Sequence, residues 1–157
     1  MSIERRIEFP GMKSEANLVY GRLWMGDAPP IGFSIGLKFD VLVLAAMEYQ
    51  PAQLFNDVEV VQAPMDDLPT PIRSSMFDIA LHASHTIAGA LADGKTVLVT
   101  CLAGLNRSGL ISAMSLMEAY GMSADDAILK VREARGPNAL CNHSFTRFLR
   151  TFNYSVC

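Results

Sequence analysis

The run FDVLVLAA, from Phe39 to Ala46, has one polar residue in eight and no alternation. A strand with water on one face reads apolar and polar by turns, so an unbroken apolar run marks a strand buried on both faces. Such a strand needs a covering layer above and below its sheet. A second run of this kind, Thr96 to Thr100 (TVLVT), lies further along the chain. The stretch between them supplies the cover. From Ser75 to Ala92, Met76, Ile79, Ala80, Ala83, Ile87 and Leu91 recur at spacings of three and four, the period of a helix with one apolar face. Asp93-Gly94 stops it.

The remaining elements follow the same alternation. Asn17 to Tyr20 and Arg22 to Met25 flank Gly21 as a hairpin or a pair of edge strands, and Val58 to Ala63 is a further strand. Pro64 to Pro71 (PMDDLPTP) holds three prolines, so it is neither helix nor central strand. Ser108 to Tyr120 is an apolar helix closed by Gly121. Ser123 is the N-cap of another, with Asp126 at the capping-box position, running to Arg135. Gly136-Pro137 breaks it, and Asn142 or Ser144 begins a last helix through Phe152. The pattern predicts one α/β domain over 1–157, with a mostly parallel central sheet of four to five strands flanked by helices.

Composition narrows the function classes. A net charge of −3 gives no electrostatic reason to bind nucleic acid or an acidic membrane. Three cysteines in 157 residues are not a disulfide framework, which points to a reducing, cytoplasmic setting. No leader is expected from Met1 to Pro10, no prenylation box at Cys157, and no apolar run approaches the roughly 18 residues of a membrane span.

The chemistry concentrates where the strand ending at Thr100 meets the helix starting near Ser108: TCLAGLNRSG, residues 100–109. Ligands of such sheets bind beyond the carboxyl ends of strands, at helix N-termini whose first N–H groups lack partners. The amides of Leu102, Ala103, Gly104, Leu105, Asn106 and Arg107 can curl around an anion, and Gly104 supplies the backbone freedom for a tight bowl. Arg107 offers a planar fork for two phosphate oxygens. That positive surrounding favours the thiolate of Cys101, a nucleophile placed beneath a bound phosphate.

The constellation resembles the Cys-x5-Arg-Ser/Thr loop of the cysteine-dependent protein tyrosine phosphatases, and the chain is most similar to their small dual-specificity branch. Leu23-Trp24-Met25-Gly26 and FDVLVLAA resemble two strands of that branch, APMDDLPTP its general-acid loop, and RGPNALCNHSF the segment before its last helix. The resemblance implies Cys101 as nucleophile, Arg107 as phosphate clamp and Ser108 as the hydroxyl that helps the thiophosphate break down. It implies an aspartate as proton donor, with Asp66 and Asp67 the candidates. The alignment favours Asp67, with Asp66 in support, and Asn142 steadies the loop. One departure stands out: the family has His before the cysteine, and this chain has Thr100, a hydroxyl without a cationic ring.

The expected activity is hydrolysis of phosphotyrosine and phosphoserine/threonine in proteins, with no cofactor and no metal. The loop carries no lysine, which disfavours phosphoinositides. Two other readings remain at this level. Asn106-Arg107-Ser108-Gly109 is similar to the loop of RNA 5′-triphosphatases, which would make an RNA 5′ end the partner. A phospho-binding pseudophosphatase is the other. His82 and His85 lack the further ligands of a metal site. Cys141 is expected as a small buried hydrophobe, Trp24 as core, and Arg132, Arg135, Arg147 and Arg150 as a solvated basic face.

Overall fold

A computed structural model describes residues 4–9, 14–30, 34–46 and 51–152. Six strands form one mixed sheet: β1 (Arg6–Phe9), β2 (Ser14–Tyr20), β3 (Leu23–Gly26), β4 (Val41–Ala46), β5 (Glu59–Met65) and β6 (Val97–Thr100). Their order is β1-β2-β3-β6-β4-β5, with the first three antiparallel and the β3–β6, β6–β4 and β4–β5 pairs parallel. The four helices are α1 (Ser74–Ala92), α2 (Arg107–Tyr120), α3 (Ala124–Arg135) and α4 (His143–Thr151).

The expected count of four to five strands is corrected to six. The additional strand is β1, whose four residues RIEF bury only Ile7 and Phe9. So short an edge strand carries too few alternations to stand out in a sequence. The Gly21 hairpin is present, but β3 is interior, paired with β6 from Leu23↔Val97 to Gly26↔Thr100. Pro64 lies inside β5, which is the opposite edge of the sheet, where a missing backbone donor breaks no inner ladder.

FDVLVLAA is buried on both faces as expected, but the two covers differ in kind. Val41, Val43, Val97 and Val99 pack into a core with residues of all four helices. Leu42, Leu44 and Leu98 face the other way, into a cluster closed by Trp24, Ile35, Phe39 and Phe55 and containing no residue of α1 to α4 among those described. The four α-helices therefore cover one face, and side chains of the edge strands, a 3-10 turn and the connecting segments cover the other. Helix α2 is buried continuously from Arg107 to Met117, which explains why its sequence lacks a polar stripe.

Local signals placed the helix ends. Gly121 closes α2 in the left-handed region at φ 66°. The Ser123 side chain accepts from Asp126 N–H, and Asn142 caps α4 by accepting from Ser144 N–H. Among the described residues no helix is long and apolar enough to cross a membrane.

Candidate active site

Strand β6 runs between β3 and β4 and ends at Thr100, so Cys101 emerges at the centre of the sheet's carboxyl edge. The five residues after it make no regular structure, and α2 begins at Arg107. Four of their five carbonyls are engaged by groups from outside the loop, and the fifth, Asn106 O, accepts from Leu110 N–H in α2. Leu102 O accepts from Ala28 N–H at 3.2 Å, Ala103 O from Arg135 Nη2 at 3.2 Å, Gly104 O from Arg135 Nε at 3.0 Å, and Leu105 O from Leu140 N–H at 3.1 Å. In a trans peptide the N–H points opposite to the C=O. Anchoring four successive carbonyls outward therefore turns the amides of Ala103, Gly104, Leu105 and Asn106 toward the concave side. Asn106, at the N-cap of α2, makes no capping bond with its side chain, which leaves the helix mouth open to an anion.

Gly104 is required here on two counts. Its φ of +69° disfavours any side chain, and a Cβ at that position would lie 2.5 Å from Gly26 C and 2.6 Å from Asp27 N. Gly104→Ala is expected to splay the loop off β3 and reduce phosphate binding at least tenfold, on the scale of about 1.4 kcal/mol or more of strain. Isothermal titration with inorganic phosphate checks this, and wild-type affinity would count against the bowl.

Cys101 is 2% exposed at the base of the bowl, with Sγ 3.2 Å from Ser108 Oγ. Arg107 is 7% exposed, and its Nη1 donates to Met65 O at 3.1 Å. That bond ties the guanidinium to the end of β5, immediately before Asp66 and Asp67. The two aspartates diverge from there. Asp67 is exposed, and both its oxygens accept from amides: Oδ2 from Asn106 Nδ2 at 2.9 Å and Oδ1 from Asn142 Nδ2 at 2.8 Å. Asn142 N–H donates in turn to Asn106 Oδ1 at 3.1 Å, and its Nδ2 also reaches Leu68 O. Asp66 is half-buried and lines a separate cavity beside α1 with Arg73 and Met76. Of the two candidates, only Asp67 is bonded to a residue of the Cys101–Arg107 loop among the described contacts.

Thr100 is fully buried, and its hydroxyl donates to Val43 O on β4 at 3.0 Å, into the sheet. An imidazolium beside a thiol favours the thiolate, so Thr100→His is expected to speed alkylation of Cys101 at about pH 6 by roughly threefold or more. Equal rates would remove position 100 from any account of thiol reactivity.

Two expectations are corrected. Arg135 and Arg132 are not a solvated face. Arg135 binds the loop carbonyls and, through Nη1, Asn17 Oδ1 at 2.7 Å, while Arg132 holds the carbonyls of Ala139 and Leu140. Helical spacing placed both on α3 without indicating that a loop would arrive beside them. Cys141 is exposed rather than buried, because the turn after Gly136 ends by setting its sulfur beside Asn106 Nδ2 at 3.5 Å. On α1, His85 Nδ1 meets Glu118 across to α2, and among the described residues no group of three or more His, Cys, Asp or Glu converges as a metal site would need. Trp24 is core, as expected.

A sulfur under a ring of amides, a guanidinium at the rim and a carboxyl alongside define the class of site used by cysteine-dependent phosphatases. The family comparison agrees. The model of the dual specificity phosphatase catalytic domain matches residues 23–155, and the chain belongs to that family. Among particular relatives, it is 33% identical over 100 residues to dual specificity protein phosphatase Mpk3 of Drosophila melanogaster, covering 62% of this chain and 23% of that protein. It is 29% identical over 103 residues to dual specificity protein phosphatase 18 of Bos taurus, covering 66% and 53%. The chain thus spans about half or less of these curated relatives. Among solved structures, Tk-PTP in its active form superposes with a TM-score of 0.74 at 25% identity, covering 86% of this chain and 93% of that one. Human DUSP28 superposes with a TM-score of 0.72 at 25% identity, covering 90% and 94%.

Proposed function

We propose that this domain hydrolyses phosphomonoesters on proteins, at phosphotyrosine and phosphoserine/threonine, through a cysteinyl-phosphate intermediate. The observation that carries the reading is the set of four outward-anchored carbonyls above Cys101. With those carbonyls held from outside, the N–H groups of the same peptides are left for an anion and need no reorganisation when the phosphoryl group arrives.

In the first step the Cys101 thiolate attacks phosphorus, the S–P bond forms and the P–O bond breaks. Asp67 delivers its proton to the departing oxygen, so the alcohol or phenol leaves neutral. Arg107 and the loop amides hold the equatorial oxygens throughout. In the second step water attacks the phosphocysteine and gives a proton to the Asp67 carboxylate. The Ser108 hydroxyl, 3.2 Å from the sulfur, donates to the thiolate as it is released. Inorganic phosphate leaves, and the chemistry calls for no metal or cofactor. Leu68 and Leu102 are both exposed beside the site, which supports a shallow rim open to short as well as long phosphorylated side chains. The two described cysteines are free, in keeping with a reducing, cytoplasmic setting as part of the proposal.

The test is hydrolysis of an aryl phosphate, then of a phosphopeptide panel and of triphosphorylated RNA. Release of phosphate from the peptides supports the reading. Preferential loss of the γ-phosphate from RNA, or phosphopeptide binding without turnover, would replace it.

A further inference from the structure

A groove of about 360 Å³ runs along α4 beside the candidate site. One wall is a single face of that helix, because His143, Arg147 and Thr151 succeed each other at every fourth residue. The other wall is the segment leading away from Asp67, with Pro69, Pro71 and Ile72. Phe148, which lines the groove, is held in an aromatic cluster: it stacks on Phe152 at 5.5 Å and meets Phe77 edge-on at 5.6 Å.

Two observations say what fits there. First, the groove begins next to the site. Asn142, which caps α4, bonds both Asp67 Oδ1 and Leu68 O, and Ser144, the next residue but one, lines the groove. Nine helical residues extend roughly 13 Å from that point, and an extended peptide covers the distance in about four residues. Second, the charge is one-sided. The chain is net acidic, yet the groove lining holds Arg147 and His143 and no carboxylate. Arg107, Arg132, Arg135 and Arg150 are all engaged, whereas the exposed Arg147 side chain bonds to no described residue.

We propose that the groove is a specificity subsite for the phosphorylated substrate's own chain. It takes residues within about four positions of the phosphorylated one, with a carboxylate against Arg147 and an apolar side chain against Pro71, Ile72 and Phe148. The inference rests on the phosphoprotein reading of the site and adds which sequences it selects: acidic and apolar on one flank.

The test compares kcat/KM for phosphopeptide pairs that differ by Glu or Gln at each of the four positions on either side, with an aryl phosphate as a control too small to reach α4. Wild type is expected to favour Glu on one flank by roughly two- to fivefold, the upper range of a single exposed ion pair. Arg147→Glu is expected to abolish or reverse that preference and leave aryl phosphate turnover unchanged. No preference in wild type, or an equal loss on Glu and Gln peptides in the variant, overturns the proposal. So does sedimentation showing that Arg147→Glu breaks a dimer, since the groove would then belong to a second copy. Should wild type fail to hydrolyse even the aryl phosphate, the phosphatase reading falls separately. The same Glu-against-Gln comparison by fluorescence anisotropy of peptide binding then decides the groove.

Discussion

Cys101→Ser is expected to remove aryl phosphate turnover by on the order of 10⁴-fold or more, the scale left when a covalent nucleophile is deleted and only binding and electrostatics remain. The substitution is small in volume, and the site sits in a well-packed core, so the fold and phosphate affinity are expected to persist. Intact phosphate binding with lost turnover is the informative pair of outcomes. If the variant lost binding to the same degree, the sulfur would be holding the bowl in shape rather than attacking. Mass spectrometry of acid-quenched wild type is expected to find a single added phosphoryl group on Cys101, and its absence during turnover would point to direct attack by water.

Asp67→Asn is expected to lower kcat by roughly 10²–10⁴-fold for alkyl and unactivated phenyl phosphates, and by less where the leaving group is stable as an anion. A steeper dependence of rate on leaving-group basicity is thus the signature of the lost proton, one that a purely structural defect does not produce. Asp66→Asn is expected to show no such steepening, because that side chain lines the cavity on the α1 side. Asn106 and Asn142 enter the same experiment. Each donates to one oxygen of Asp67, so removing either amide is expected to cost most with poor leaving groups. In an Asp67→Asn background that extra cost disappears if the amides act by positioning the carboxyl. Additive losses would assign them to the loop instead.

Much of this arrangement was legible in the sequence because it is written locally. Apolar runs without alternation marked β4 and β6, glycine and serine marked the ends of α2 and the start of α3, and the spacing from Cys101 to Arg107 marked the bowl. What escaped was decided by contacts distant in sequence. β1 exists only because β2 offers an edge to pair with, and four residues of it carry no pattern of their own. Arg135 reads as another helix-surface cation until the turn at Gly104 brings two carbonyls to its guanidinium. Asp66 and Asp67 are equivalent in composition, and only the path of β5's last residues sends them to opposite sides. Cys141 is apolar by type, yet the chain ends its turn with that side chain outside.

Arg135 has a consequence for where the working unit begins. The same side chain that holds the loop at Gly104 also grips Asn17, and its Nη1 lies 3.4 Å from the carbonyl of Glu15. The loop proposed to receive the phosphoryl group is therefore braced across more than a hundred positions of chain, against a strand that precedes the family match at residue 23. A fragment trimmed to that homologous boundary would keep every residue of the signature and still lose the strut that keeps it taut.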